Sequence, residues 1–127
     1  MNDLERFNAT MNYANPDRAP FKEFLWPTWG LIPLHIDTGV DILSPFEVQA
    51  GMHVLAVRKK YGRGFRIWGG VDKRPLAEGP AAIDSELRRI EPLIRDGRHI
   101  PMLDHSATPD IPYRNYCYFL EKLRQIL

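Results

Sequence analysis

The sequence predicts an α/β protein in which short parallel strands alternate with helices. Three apolar runs, near residues 40–44, 65–70 and 99–103, have the length of short strands. A segment with apolar residues at helical spacing follows each of them. Strands and helices that alternate in this way form right-handed crossovers and a parallel sheet covered by helices. We therefore expect three parallel strand-helix units, equivalent to a partial (β/α) barrel and preceded by an N-terminal helix.

The N-terminal part is predicted to be helical at first and then interrupted. Apolar residues at helical spacing predict a short amphipathic helix over residues 2–13: Leu4, Phe7 and Met11. The aromatic-rich residues 20–26 could form an extended segment, and a helix-like run resumes over residues 31–38. Pro27 lies between the two, at the point where the pattern is hardest to read.

The three units follow in order. In the first, the strand at residues 40–44 leads into a predicted helix over about residues 45–61. In the second, the strand at 65–70 precedes a helix whose apolar face is formed by Ile83, Leu87, Ile90 and Ile94. In the third, the strand at 99–103 precedes a helix that begins after Pro112 and has its apolar stripe at Tyr116, Leu120, Leu123 and Leu127.

Composition limits the classes of protein that the chain can belong to. Its 127 residues, 44% of them hydrophobic, suit one compact domain. A net charge of +1, with no basic cluster longer than residues 58–60, argues against a nucleic-acid partner. The single cysteine, Cys117, fits a reducing compartment, and no apolar run is long enough for a signal peptide or a membrane span. These features predict a cytoplasmic protein.

The carboxyl ends of the predicted strands are the expected place for a functional site. Loops after parallel strands meet at one edge of the sheet and can direct polar groups into a shared crevice. Here that rule selects three clusters: residues 44–47, 70–73 and 104–106. We expect Glu47, Asp72 and His105 to lie on the same edge.

Asp104 and His105 are the candidate catalytic residues. The imidazole of His105 follows an apolar strand directly, has a carboxylate beside it, and could transfer protons or bind a metal. The alternative is that Asp104 and Ser106 cap turns while His105 fills a polar gap.

Four further residues are candidate substrate-binding groups. At Gly70 the backbone could approach a ligand, and Asp72 and Lys73 could contact polar or anionic groups. The alternative is a tight strand-to-helix turn that Asp72 caps while Lys73 is solvated. Glu47 could be a carboxylate base, or a metal ligand together with His105, although a glutamate in the first turn of a helix is also expected from the helix dipole.

Several motifs, taken together and in order, resemble the C-terminal third of uroporphyrinogen decarboxylase-like proteins. They are PFE at 45–47, AGM at 50–52, RKKYG at 58–62, GGVDKR at 69–74 and IPMLDHS at 100–106. The resemblance covers roughly residues 31–127. A second stretch, ERF at 5–7 with PDRAPF at 16–21, resembles the opening helix and first-strand approach of the same superfamily.

The resemblance implies a single, incomplete (β/α) barrel domain over residues 1–127. Residues 1–26 would be the barrel-entry segment and residues 31–127 the C-terminal units. A full (β/α)8 barrel needs about 250 residues, so the middle strands would be absent, with the join near residues 24–30. Exposed strand edges invite pairing, and we therefore expect a homo-oligomer.

The resemblance also implies an activity, either tetrapyrrole decarboxylation (a lyase) or corrinoid-linked methyl transfer. The first would need no cofactor, and the second would use zinc or a corrinoid, so the partner is a small-molecule substrate or a corrinoid carrier. The chain departs from both patterns, because the decarboxylases' arginine-rich segment and the methyltransferases' His-x-Cys pair are absent. His105 matches a substrate-contacting histidine of the decarboxylases, whereas His53 stands where relatives tend to have Asp. The alternative is a non-catalytic barrel fragment that acts as an oligomerising or interaction module.

Overall fold

The chain folds around an open, four-stranded parallel sheet with the strands in sequence order. The computed structural model describes residues 5, 8–10, 14, 15, 17, 22–24 and 29–127. Its strands are β1 (Lys22–Phe24), β2 (Ile42–Ser44), β3 (Arg66–Trp68) and β4 (His99–Ile100). The α/β class is therefore confirmed. In the described part of the chain β1 and β4 are the two edges, and the sheet does not close into a barrel.

Helices connect the strands and follow the last one. They are α1 (Ile32–Asp37), α2 (Val54–Tyr61), α3 (Arg74–Glu78), α4 (Pro80–Asp96) and α5 (Tyr113–Ile126), with a 3-10 turn at Val48–Ala50. Each strand thus precedes at least one helix. None of the helices in the described ranges is long and apolar enough to cross a membrane.

The predicted strands are confirmed, although each is shorter than its apolar run. The β3–β4 ladder extends beyond β4 only as an isolated bridge between Val71 and Leu103. The aromatic-rich segment over residues 20–26 contains β1, which adds a fourth strand to the three expected. Residues 5 and 8–10 are helical, as predicted for the N-terminal helix, whereas its apolar positions Leu4, Phe7 and Met11 lie outside the described residues.

One helix prediction was wrong in its extent, and a short helix that was not predicted precedes the one expected after β3. The helix expected from about residue 45 begins only at Val54, because Gly51 adopts a left-handed conformation (φ 84°) that ends the preceding 3-10 turn. The helix after β3 is divided in two at Gly79 (φ 131°), and Pro80 begins the second part. Proline is tolerated at the first position of a helix because that position needs no amide donor.

The core consists of two clusters of buried side chains on the helical side of the sheet. The first joins α1, α2 and the strands, and includes Ile32, Leu43, Val54, Val57, Phe65, Ile67 and Leu93. The second lies between α3, α4 and α5, and includes Val71, Leu76, Ile83, Leu87, Ile90, Phe119 and Leu123. The apolar stripe of α4 is thereby confirmed. In α5 the buried positions are Asn115, Phe119 and Leu123, so the predicted stripe was partly misplaced and Leu127 is 73% exposed.

Candidate functional site

One buried carboxylate joins the loops that follow β2, β3 and β4. Oδ2 of Asp104 accepts a hydrogen bond from the amide of Val48 at 2.8 Å, and Oδ1 accepts one from the amide of Lys73 at 3.1 Å. Val48 follows β2, Lys73 follows β3 and Asp104 follows β4, so the three loops meet at the carboxyl end of the sheet. We call this edge the rim, formed by residues 44–48, 69–74 and 103–107.

The buried carboxyl group of Asp104 positions the loops of the rim. Burial raises its pKa, the hydrogen bonds from Val48 and Lys73 partly oppose that rise, and the nearby negative charges of Asp72 and Glu47 add to it. The side chain is 2% exposed, and both of its oxygens accept from backbone amides. Asp104 therefore holds the rim together through its bonds to two backbone amides, and its catalytic role stays a prediction.

Asp72 is also bound within the protein. Its carboxylate accepts hydrogen bonds from the backbone amide of Arg74, the first residue of α3, at 3.0 Å and from the guanidinium Nη2 of the same residue at 2.6 Å. Burial raises the pKa of this carboxyl group, but the hydrogen bonds and charge of Arg74 outweigh burial and hold the pKa below its ordinary value. Both oxygens of Asp72 are thus already engaged within the protein.

A buried ion pair that the sequence analysis missed supports the rim from below. Glu86, which is 7% exposed, accepts a hydrogen bond from the amide of Asp72 at 2.7 Å. It also forms an ion pair with Arg89. Arg89 in turn donates to the carbonyl oxygen of Gly70 at 2.9 Å. The signal was present in the sequence, because an acid at position 86 lies on the apolar face that Ile83 and Ile90 define.

At Gly70 a side chain of the protein fills the space that a Cβ atom would occupy, and the predicted approach of a ligand to this backbone stays a prediction. Gly70 has a φ of +84°, and a Cβ atom there would lie 2.2 Å from Cγ1 of Val54. The glycine therefore allows the start of α2 to pack against the end of β3. This packing favours the tight-turn alternative at position 70.

His105, Lys73 and Glu47 are the predicted site residues whose side chains are partly exposed at the rim. Nδ1 of His105 lies 3.1 Å from the carbonyl oxygen of Ser106. The pKa of Asp110 is lowered mainly by a hydrogen bond from Thr108, and slightly by the positive charge of Lys73. The rim therefore combines an imidazole, an ammonium group and a carboxylate that solvent can reach.

A shallow groove of about 250 Å³ borders the rim. It lies between the chain after β4 and helix α5, and its lining includes Pro101, Met102, His105, Tyr116, Leu120 and Leu123. Small-molecule sites usually measure about 300–1,000 Å³, so the groove is small for a whole substrate. His105 is the titratable residue among those that belong to both the rim and the groove.

The rim does not fit a zinc ion. In the described ranges no three His, Cys, Asp or Glu side chains are grouped closely enough to hold a metal, so Glu47 and His105 do not gain a third ligand there. Structural and catalytic zinc sites use three or four protein ligands.

A second histidine, His99, lies beneath the rim and was not predicted as a functional residue. Its Nε2 donates to the carbonyl oxygen of Gly69 at 2.8 Å, and its buried Nδ1 has no hydrogen-bond partner in the described part of the chain. Burial lowers the pKa of His99, with the charges of Arg58 and Arg89 acting in the same direction and the bond to Gly69 opposing them. The lowered pKa favours the neutral form of the imidazole.

Together these features define an open α/β sheet whose strand-end loops are tied into one polar rim. Comparison with models of protein families, with curated proteins and with solved structures yields no match for the chain. Its function is therefore argued from the rim and from the motifs that form it.

Proposed function

We propose that the chain is a uroporphyrinogen decarboxylase-like protein whose rim binds an anionic small molecule. The activity would be tetrapyrrole decarboxylation or corrinoid-linked methyl transfer. The observation that carries this proposal is the pair of hydrogen bonds from Val48 and Lys73 to Asp104. These bonds bring three motifs of the family resemblance together at the carboxyl ends of parallel strands, where enzymes of this architecture have their sites.

The exposed side chains of the rim suit decarboxylation. When a carboxylate leaves as CO₂, the carbon–carbon bond breaks and its electron pair stays on the substrate carbon, which must then accept a proton. The imidazole of His105 would donate that proton, and the ammonium group of Lys73 would bind a substrate carboxylate. Glu47 would orient the substrate. Decarboxylation is better supported than methyl transfer, because the described residues supply no three-ligand set for zinc.

The backbone amides of the rim contribute little to binding an anion. The amides of Val48 and Lys73 donate to Asp104, that of Asp72 donates to Glu86, and that of Arg74 donates to Asp72. Four donors that could otherwise bind a substrate carboxylate are thus satisfied within the protein. Side chains, above all Lys73, would therefore determine the affinity for an anionic substrate.

The second candidate function is a non-catalytic interaction module. It is favoured by two exposed apolar side chains at the edge of the sheet, since Ile100 is 36% and Met102 is 42% exposed. Exposed apolar residues beside a groove are typical of a surface that another protein covers. In this case the rim would resemble that of a catalytic relative but would have no catalytic role.

Turnover assays test the proposed function. The purified chain is given uroporphyrinogen in one assay, and a methyl donor with a corrinoid in another. We expect turnover of uroporphyrinogen that falls by about 100-fold or more in His105→Ala, a loss typical of a missing general acid. His53→Ala is the control, because that histidine is exposed and lies outside the rim. Absence of turnover in both assays, or an unaffected His105→Ala, would contradict the proposal.

A further inference from the structure

Asp72 and Arg74 form a closely fitted ion pair at the rim. Nε of Arg74 donates hydrogen bonds to Oδ1 and Oδ2 of Asp72 at 2.9 and 3.0 Å, and Nη2 donates to Oδ2 at 2.6 Å. The backbone amide of Arg74 donates to the same carboxylate at 3.0 Å. A planar guanidinium that meets a planar carboxylate along one side has a fixed orientation. The side chain of Arg74 is therefore oriented by the protein itself, before any ligand arrives.

The pairing with Asp72 leaves part of the guanidinium free to bind a ligand. A guanidinium has five N–H donors in one plane. Asp72 engages those on Nε and Nη2, and Nη1 has no hydrogen-bond partner among the residues that the structure describes. The side chain of Arg74 is 50% exposed, whereas that of Asp72 is 11% exposed. The N–H groups between Nη1 and Nη2 are parallel, and a pair of this kind binds both oxygens of one carboxylate.

A buried ion pair supports Asp72 from beneath the rim. The amide of Asp72 donates to Oε1 of Glu86 at 2.7 Å, and Arg89 donates to both oxygens of Glu86, at 2.6 and 2.7 Å. Burial of charged groups costs free energy even when they are paired. Helix α3 has only five residues, and a solvated aspartate is enough to cap a helix. The buried pair therefore does more than capping requires, because it also fixes the backbone that carries Asp72.

Two cations with free donors are neighbours at this edge. Lys73 directly precedes Arg74 in the chain, and its side chain is partly exposed. A lysine provides a compact charge on a flexible stem, whereas an arginine provides a directed pair of donors. Arg89, a third cation near the rim, already bonds to Glu86 and to the carbonyl oxygen of Gly70. A ligand with two or more carboxylates can thus be oriented by Arg74 and attracted by Lys73.

We propose that Arg74 binds a carboxylate group of the ligand at the rim, and that Asp72 is its positioning residue. The inference rests on the proposed function for the class of ligand, a polycarboxylate, and adds the residue that orients it. Lys73 supplies the second positive charge. No bond is made or broken in this step, so binding alone can test it.

Isothermal titration calorimetry with uroporphyrin as the probe tests the role of Arg74. We expect Arg74→Lys to raise the dissociation constant by about 10-fold or more, because the charge is kept while the paired donors are lost. Arg74→Ala should raise it further. Arg88→Lys is the matched control, since Arg88 is exposed on α4 outside the rim, and it should bind uroporphyrin as the wild type does. Circular dichroism verifies that each variant is folded at the temperature of the titration.

Asp72→Asn separates positioning from charge. This variant removes a negative charge beside the site, so electrostatic attraction alone would strengthen the binding of an anion. If Asp72 positions Arg74, the dissociation constant should instead rise, by about 3-fold or more, because the guanidinium is no longer pre-organised. In the Arg74→Ala background the same substitution should no longer weaken binding. A weakening that persisted there would mean that Asp72 acts on the fold of the rim and not through Arg74.

Four results would overturn the inference: no saturable binding of uroporphyrin, wild-type affinity in Arg74→Lys, tighter binding in Asp72→Asn, or an effect of Asp72→Asn that is independent of Arg74. Competition tests the class of ligand, because citrate should displace uroporphyrin at a lower concentration than inorganic phosphate does. The reverse order would contradict a carboxylate site. Binding that depends on Arg74 but leads to no turnover would retain this inference and contradict the proposed function. Turnover that is unaffected in Arg74→Ala would do the reverse.

Discussion

Asp104 is the residue on which the arrangement of the rim depends most directly. We expect Asp104→Ala to lower the free energy of unfolding by about 2 to 6 kcal/mol, because the buried amide of Val48 and the partly buried amide of Lys73 would each lose an acceptor at about 1 to 3 kcal/mol apiece. Urea denaturation measures this change. Asp110→Ala is the control, since Asp110 is exposed, and it should cost much less than Asp104→Ala. Equal urea midpoints for the two variants would show that Asp104 does not anchor the loops.

His99 gives the protein a pH dependence whose sign follows from its environment. Burial holds its pKa below the ordinary value of 6.5, so as the pH falls below that value the unfolded chain takes up a proton before the folded chain does. The free energy of unfolding should therefore decrease as the pH falls below 6.5, down to the folded pKa. The contribution of His99 is fully present above 6.5.

Replacing His99 isolates this contribution. His99→Gln removes the titrating group but keeps a donor that can reach Gly69, so its stability should fall less than that of the wild type between neutral and mildly acidic pH. His53→Gln, at an exposed position, should retain the wild-type profile. Thermal or urea unfolding across this pH range is the measurement. Identical pH profiles for wild type and His99→Gln would be incompatible with a buried neutral imidazole.

At the scale of the elements, the packing of α2 against β3 depends on the glycine at position 70. A Cβ atom there would lie 2.2 Å from Val54, whereas at Gly51, which has the same φ of +84°, no atom lies within 4 Å. Gly70→Ala should therefore be less stable than Gly51→Ala by about 1 to 3 kcal/mol, the usual cost of overpacking. Both variants carry a similar backbone cost, so their difference measures the steric conflict.

Val54→Ala provides the corresponding double-mutant cycle. In that background the difference between Gly70→Ala and Gly51→Ala should shrink, because the conflicting methyl groups are gone. Unfolding free energies of the single and double variants give the coupling. A difference that survives Val54→Ala unchanged would mean that the cost arises from the backbone and not from the contact between α2 and β3.

The sequence predicted elements best where a single periodic pattern decided them. The stripe Ile83, Leu87 and Ile90 identified the buried face of α4, and all three side chains are in the core. In α5 the apolar residues lie on two faces of the helix. Phe119 is buried, whereas Tyr116 and Leu120, from the expected stripe, line the groove. A pattern of apolar residues does not distinguish a face that packs inside the molecule from one that is left at an edge.

Long-range hydrogen bonds account for what the sequence could not predict about the rim. The order of elements was enough to predict that Glu47, Asp72 and His105 follow neighbouring strands. The order of elements does not predict that Asp104 bonds to amides 56 and 31 residues away in the chain. Those bonds depend on the register of β2, β3 and β4. The same applies to Gly70, whose neighbour Val54 lies on another element.

At the scale of the whole molecule, the sheet is open and its rim is formed by three of the four strand-end loops described. An isolated parallel sheet of this kind has two edges to satisfy and one face without helices. The rim lies at the carboxyl end of this open sheet, where solvent reaches His105, Lys73 and Glu47.

The central claim is that the rim tied together by Asp104 is the ligand-binding edge of the protein. The most direct test is an NMR titration of the isotope-labelled chain with uroporphyrin, which has the carboxylates of the proposed substrate. The account predicts that the amide signals of Glu47, Lys73 and His105 shift first and together, while those of Ser85 and Arg88 on the outer surface of α4 do not move. Shifts confined to other parts of the chain, or no saturable shifts at the rim, would contradict it.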